Sequence, residues 1–431
     1  MGHAYHTEQI PYGTGELTLK VPEKNYIGTL IPSYCPAVAD ERAEIVEAID
    51  NPIGTPPLEE IVRQKHGKKT VVVVNDGTRP TATYKLLPPL LEKLERCGIS
   101  EGDILILIAT GTHRAVGPDE IEPLLGKGIT NRYRIVNHDC LDLKNMVDLG
   151  TTSQGIPIVI NRLFCEADIK ILTGSIHPHQ GAGFSGGRKS ILPGLTSLET
   201  LKLHHGPRYR PLEPAMGQLD GNPFHLGALE GAKMAAPDFI LNLVQNQKKE
   251  ITRAVAGDLE QAWMKGVEAS REIFEARTPH DVDIVIVVPG GHPRDVNLYQ
   301  SQKSMAAAEL VVKRGGSIIL PAACPDGIGS ELFFKWLASA GSPEDVMQRF
   351  QAEGYDVGTS KAWLYARCLL KAEMIIVSEF LEQSVLEQMF TKKAADMDTA
   401  LKMAFESQGQ DARVLIMRNA ADMIPVREDG G

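Results

Sequence analysis

Short, almost unbroken apolar runs alternate with longer segments of helical period along most of this chain. KKTVVVVND, DILILIATG and DIKILTG in the first half have the pattern of strands buried on both faces, and so do DIVIVVPGG, GGSIILPAA, EMIIVSEF and ARVLIMRN in the second. Between the first of them lie YKLLPPLLEKLERCG and DEIEPLLG, whose leucines recur at helical spacing. Such alternation predicts α/β architecture: two α/β domains with mainly parallel sheets covered by helices. Two stretches depart from it. YGTGELTLKVPEKNYIGTL alternates polar and apolar residues and predicts an antiparallel hairpin or edge pair, and FILNLVQNQKKEITRAVAGD predicts two strands in hairpin arrangement. Helices are expected over 40–50, with Glu44, Glu47 and Asp50 as the wet face, and over about 259–275 around Trp263. The polar RTPHDVD segment marks a boundary, so residues 1–277 are expected to form the first domain and 278–411 the second. Residues 412–431 are expected to return to the first.

At 431 residues the chain exceeds what one ordinary core supports. Its net charge of -10 argues against nucleic-acid or anionic-membrane partners. No apolar run reaches membrane-spanning length, and MGHAYHTEQI lacks a basic-then-apolar targeting pattern. Six dispersed cysteines without a CxxC pair imply reduced thiols and a cytoplasmic location.

The chemistry concentrates at strand ends, where open α/β sheets bind ligands. Asp76, Thr78 and Arg79 follow one strand, His113 another, and His177 and His179 a third. The third opens the densest stretch, residues 173–206: a glycine-rich loop, Arg188 and Lys189, then a helix carrying His204 and His205. Glycines there let backbone N–H groups approach an anion. An ordinary P-loop is disfavoured, because Arg188 stands where that motif needs glycine before its lysine. Thr196 and Glu199 have capping-box spacing, and the helix they open would put Leu198, Leu201 and His205 on one face.

DGTRP at 76–80, ATGTHR at 109–114, HQGAGFSGGRK at 179–189 and NLYQSQK at 297–303 resemble the nickel-dependent lactate racemase family, in order and over nearly the whole chain. The resemblance implies an active site in the cleft between two domains. It implies a nickel pincer nucleotide, a pyridinium mononucleotide holding nickel through sulfur, carbon and sulfur, joined covalently to Lys189 as a thioamide. His205 would be the protein ligand to nickel, with His204 the rival. His113 and His179 match the paired catalytic bases. Asp76, Thr78, Ser185, Gly186, Gly187 and Arg188 would surround the cofactor. Arg79, Gln300, Lys303 and Trp363 would bind substrate, although Trp363 could equally be a half-buried helix residue. The implied activity is racemisation or epimerisation of a small 2-hydroxy acid by reversible hydride transfer, with transient partners in the proteins that make the cofactor. Gln180 and Gly181 stand where the family commonly has aromatics, which admits larger polar acids such as malate, a hydroxyglutarate or a sugar acid. His177 is an extra candidate base. An oxidoreductase releasing the 2-oxo acid and a non-catalytic cofactor carrier are the alternatives.

Overall fold

Val71, Val72, Val73 and Val74 have no solvent exposure, and their strand, Thr70–Asn75, runs inside a six-stranded sheet. The computed structural model describes residues 4–78 and 81–428. They form two α/β units with mostly parallel sheets.

The larger unit spans Tyr34–Pro211 and Gly217–Ile273. Its sheet order is Ile251–Gly257, Phe239–Gln245, Ile169–Ser175, Thr70–Asn75, Ile104–Ala109, Arg134–Asn137. The first two strands pair antiparallel, as their hairpin pattern predicts, and the others are parallel. Helix Thr83–Arg96 buries Leu86, Leu87, Leu90, Leu91 and Leu94 against one face, the stripe its leucine spacing dictates. Helix Glu41–Asp50 starts at Asp40, whose carboxylate accepts from the Ala43 N–H. Helix Gln261–Phe274 carries Trp263, which is fully buried.

The other unit contains Met1–Ser33, Leu212–Met216 and Phe274–Gly431. Its sheet is parallel throughout, in the order Lys392–Ala394, Ala372–Val377, Val312–Pro321, Val282–Val288, Val414–Arg418, Tyr26–Leu30. Tyr5–Tyr12 and Gly15–Pro22 make the expected antiparallel hairpin.

The expected division at 277/278 falls within four residues of the point, Phe274, where the chain enters this unit, but the expected return of 412–431 to the first domain is not what the topology shows. Val414–Arg418 sits between Val282–Val288 and Tyr26–Leu30, so both chain ends belong to the unit that begins at Phe274. The physical reason is burial. Val414, Leu415, Ile416 and Met417 are apolar on both faces and at most 1% exposed, which suits a strand with neighbours on each side.

Ile416→Ala should therefore cost about 2–5 kcal/mol, as for other buried aliphatic truncations in well-packed cores. A lowered thermal or urea unfolding midpoint checks it.

Candidate active site

The strands ending at Ser175, Asn75 and Ala109 are neighbours in the larger unit's sheet, so the loops that follow them converge at one edge. Asp76 follows the middle strand and is 3% exposed. One of its carboxylate oxygens accepts from the Thr78 hydroxyl at 2.7 Å and the Thr78 N–H at 3.3 Å. The other lies 2.5 Å from Nδ1 of His113, which is itself 3.2 Å from the Thr78 hydroxyl. The His113 side chain is 41% exposed. A carboxylate fixes the proton on Nδ1 and leaves the Nε2 lone pair facing outward, the arrangement of an oriented general base. Asp76 and Thr78 are thus partners of His113. Arg79 lies outside the described residues.

The His113 loop is tied by backbone to the lysine loop. Gly111 N–H donates to the Gly194 carbonyl at 3.1 Å, and Gly194 N–H donates to the Lys189 carbonyl at 3.1 Å. His138 adds a second tie: its carbonyl accepts from the Thr110 hydroxyl at 2.6 Å, and its Nε2–H donates to the Thr196 carbonyl at 3.0 Å. Asn161 Nδ2 donates to its Nδ1 at 3.1 Å, and burial pushes the His138 pKa down, toward the neutral form that bond requires.

Lys189 is half-buried, with Nζ 3.2 Å from Nε2 of His179. His179 sits in a two-residue ladder, Pro178–His179 against Gly183–Phe184, and its Nδ1 accepts from the N–H groups of Gly181 at 3.1 Å and Ala182 at 3.0 Å. The loop between is held from beneath by Arg188. That guanidinium has no exposure and donates to the carbonyls of Ala182 at 2.8 Å and Phe184 at 3.1 Å. Its plane stacks over Trp263 at 3.9 Å, and the indole N–H donates to the Ser185 carbonyl at 2.9 Å. Burial lowers the Arg188 pKa to about 9.

Ser185, Gly186, Gly187 and Arg188, which the sequence resemblance expects around a cofactor, hold the loop itself through these contacts. The Ser185 hydroxyl donates to Ser175 O and accepts from His177 N–H; Gly187 N–H donates to the Asn242 side chain at 2.8 Å. Gly186 is packed so closely that a Cβ would fall 2.4 Å from Asn242 Oδ1, at φ +77°. The loop spends these groups holding itself in shape. His177 contributes its backbone to the same network.

The helix Leu198–His205 begins one residue later than the capping-box spacing suggests. Ser197 is its N-cap, accepting from Thr200 N–H, while the Thr196 hydroxyl donates to the Pro193 carbonyl. At its other end the two histidines separate. His204 is fully buried and donates from Nε2 to the Phe224 carbonyl at 2.8 Å, while its Nδ1 has no hydrogen-bond partner among the described residues. His205 is half-buried and donates from Nδ1 to the Leu201 carbonyl at 3.2 Å, so Nε2 carries the lone pair of the neutral ring. Burial, with His204, Arg210 and Lys189 nearby, holds His205 well below its ordinary pKa and therefore neutral, the form a metal requires. The Phe224 ring gathers the group: His204 lies 4.1 Å from it, His205 4.7 Å, Lys189 Nζ 5.5 Å and Arg210 5.7 Å. An anionic, metal-bearing nucleotide fits these residues: one neutral imidazole, one amine and a mostly buried guanidinium.

Phe224, Arg210, Asn222, Asn242, His138 and Trp263 were not singled out from the sequence as site residues. The only cue was Asn222-Pro223, a helix-start signal in which Asn222 caps helix Pro223–Ala235. In the smaller unit, Gln300 is half-buried on the short helix Leu298–Ser301, and Lys303 is exposed. Trp363 is 1% exposed, its ring 5.7 Å from Phe350 and 5.1 Å from Arg367.

A carboxylate-oriented histidine, a loop lysine and a histidine held neutral by burial stand in the loops at the carboxyl edge of one parallel sheet, an arrangement suited to acid–base chemistry. The family models for the lactate racemase N-terminal domain and C-terminal domain match residues 12–212 and 278–424. The chain is 36% identical to the lactate racemase of Thermoanaerobacterium thermosaccharolyticum, over 97% of this chain and 99% of that one. It is 33% identical to the lactate racemase of Lactiplantibacillus plantarum, over 96% and 98%. The lactate racemase apoprotein structure from the first organism superposes with a TM-score of 0.88 at 33% identity, over 98% of this chain and 100% of that one. A Thermotoga maritima protein of known structure, 19% identical over 92% and 100%, shares the fold with a TM-score of 0.66. The chain belongs to the lactate racemase family, and with that family it is an isomerase.

Burial also sets an acid limit on stability. His225, 6% exposed and stacked on Trp263, has its pKa lowered from 6.5 to about 3, chiefly by burial and then by Arg188. Below pH 6.5 the unfolded chain takes a proton at this position that the folded chain refuses, so stability present at pH 7 is lost as pH falls. The loss from His225 is about 2 kcal/mol at pH 5. Urea midpoints at pH 7 and pH 5 should show it, with a smaller difference in His225→Gln.

Proposed function

We propose that the chain racemises or epimerises a 2-hydroxy acid, either lactate or a larger polar acid such as malate, a hydroxyglutarate or a sugar acid. The observation that carries this is the Asp76–His113 couple in the same strand-end cluster as the His179–Lys189 pair. Inverting a hydroxyl-bearing carbon by hydride transfer requires that the hydroxyl proton leave as the hydride leaves, and that both return on the opposite face. Nε2 of His113 takes the hydroxyl proton, and Asp76 stabilises the imidazolium that results. His179 is the second imidazole, serving the opposite enantiomer. A nickel pincer nucleotide, joined to Lys189 and ligated by Nε2 of His205, supplies the hydride acceptor and donor when bound. Arg210 adds positive charge on the same side of the site, suited to a phosphate or carboxylate.

Arg79, Gln300 and Lys303 stay in the proposal as carboxylate and polar partners of the substrate on the strength of the sequence resemblance. The wider substrate range is supported by Gly181: a Cβ there would lie 3.7 Å from an Arg210 guanidinium nitrogen, so the missing side chain leaves room beside a cation. The six dispersed cysteines, all free thiols, support a cytoplasmic setting in which the chain meets the cofactor-making proteins transiently.

Protein made in cells that also make the nucleotide should carry a mass increment mapping to Lys189 and about one nickel per chain, as a single-imidazole site predicts. It should interconvert enantiomers with no external acceptor and no net 2-oxo product. Lys189→Ala should lose increment and turnover together; a Lys189→Ala chain that still racemises sinks the proposal. His113→Ala and Asp76→Asn should lower kcat by about 10²–10⁴-fold with nickel retained. Loss of nickel in either would move that residue to the metal.

A further inference from the structure

His138 is 3% exposed, and each of its four polar groups is hydrogen-bonded to a different segment. It stands one residue beyond strand Arg134–Asn137, the outer neighbour of Ile104–Ala109. Its N–H donates to the Ile108 carbonyl at 2.9 Å, and its carbonyl accepts from the Thr110 hydroxyl at 2.6 Å. Its Nε2–H donates to the Thr196 carbonyl at 3.0 Å, and its Nδ1 accepts from Asn161 Nδ2 at 3.1 Å. A donor at Nε2 and an acceptor at Nδ1 describe one neutral tautomer, so the two ring bonds are mutually consistent.

Two of the segments lead to the chemistry of the site. The Thr110 carbonyl accepts from the His113 N–H at 2.9 Å and so holds the turn that carries that imidazole. Thr196 directly precedes Ser197, the N-cap of helix Leu198–His205. The Leu198 N–H at the start of that helix donates to the Cys140 carbonyl at 2.9 Å, so residues 138 and 140 grip 196 and 198. From the other side, the Asn161 N–H donates to the Leu195 carbonyl at 3.0 Å. An imidazole presents its donor and its acceptor on different edges of one rigid ring, whereas an amide side chain presents both at one flexible tip. With both ring nitrogens engaged, His138 is placed to position other groups rather than to transfer a proton.

We propose that His138 is a positioning residue that fixes the spacing between His113 and the helix ending in His205. This rests on the reading of His113 as the base and His205 as the metal ligand. The hydroxyl proton and the hydride leave one H–C–O–H unit together, so the groups that receive them must keep their mutual position. A misplacement of about 1 Å costs about 10²-fold in rate.

The first readout needs no cofactor. Backbone hydrogen exchange of the cofactor-free full-length chain, followed by peptide mass spectrometry, is compared for wild type, His138→Phe and Thr110→Val. His138→Phe keeps a ring and removes both ring bonds, and Thr110→Val removes one hydroxyl at nearly constant volume. Each should speed exchange about tenfold in both peptides 109–116 and 196–205, with helix 83–96 unchanged. Unchanged exchange of 196–205 in Thr110→Val overturns the inference. Acceleration spread evenly over the unit also overturns it, since lost stability alone would give that. Should His138→Phe fail to fold, Thr110→Val decides by itself.

The second readout is turnover of lactate and malate by nickel-loaded chain. Each variant should lower kcat about 10–100-fold, with KM, nickel content and the mass increment at Lys189 retained. The double variant should lose no more than the worse single one, because both changes cut the same path. Losses that multiply overturn the inference. Coupled exchange in a loaded wild-type chain that racemises neither acid sinks the functional reading instead, and racemisation with uncoupled exchange removes the bridge alone.

Discussion

A guanidinium buried without exposure is the constraint on which the site depends. Arg188 gives up its hydration entirely, and among the described residues no carboxylate is one of its hydrogen-bond partners; carbonyls of Ala182 and Phe184 and the face of Trp263 take its charge. Charge-assisted bonds of this kind are stronger than neutral ones and strict about geometry. They lock the turn that presents Gly181 and Ala182 N–H to His179. They also place the following residue, Lys189, on the other side of the loop. Removing the guanidinium would leave buried carbonyls without donors, which costs more than the bonds themselves contribute.

From that turn the structure reads outward along backbone bonds. Lys189 O, Gly194 and Gly111 form a chain leading to the His113 loop, and His138 runs parallel to it through Thr110 and Thr196. Acid–base groups on separate strands are thereby held by main-chain contacts, which lose little entropy on ordering compared with long side chains. The two catalytic candidates are not equivalent within this frame. A carboxylate stands behind His113, whereas two backbone N–H donors stand behind His179.

Much of this was legible in the sequence, and the legible part has a common character. Strands such as 71–74 and 284–287 announce themselves because burial on both faces demands unbroken apolar runs. Asp76, His113, His179, Lys189 and His205 announce themselves because chemistry-bearing residues at strand ends and in glycine loops have no packing reason to be there. What stayed hidden depends on partners distant in the chain. Phe224 and Trp263 look like core aromatics, and Asn222 looks like a helix cap, which it also is. Ser185, Gly187 and Arg188 have partners within and beneath their loop that composition does not reveal, because it shows which donors exist but not what they bond.

The order of strands shows the same division. Local periodicity determined that Val414–Arg418 is a buried strand, and likewise that Tyr26–Leu30 is extended. Neither pattern says which neighbour it pairs with, because backbone hydrogen bonds are the same for every partner. Only the assembled sheet decided that both chain ends join the unit beginning at Phe274. The histidine choice follows suit. Helical spacing determined that His204 and His205 point in different directions; the Phe224 carbonyl, reached only when helix Pro223–Ala235 packs alongside, decided what the His204 Nε2–H bonds to. Sequence sets what each residue can do, and tertiary packing decides which of those capacities is already used.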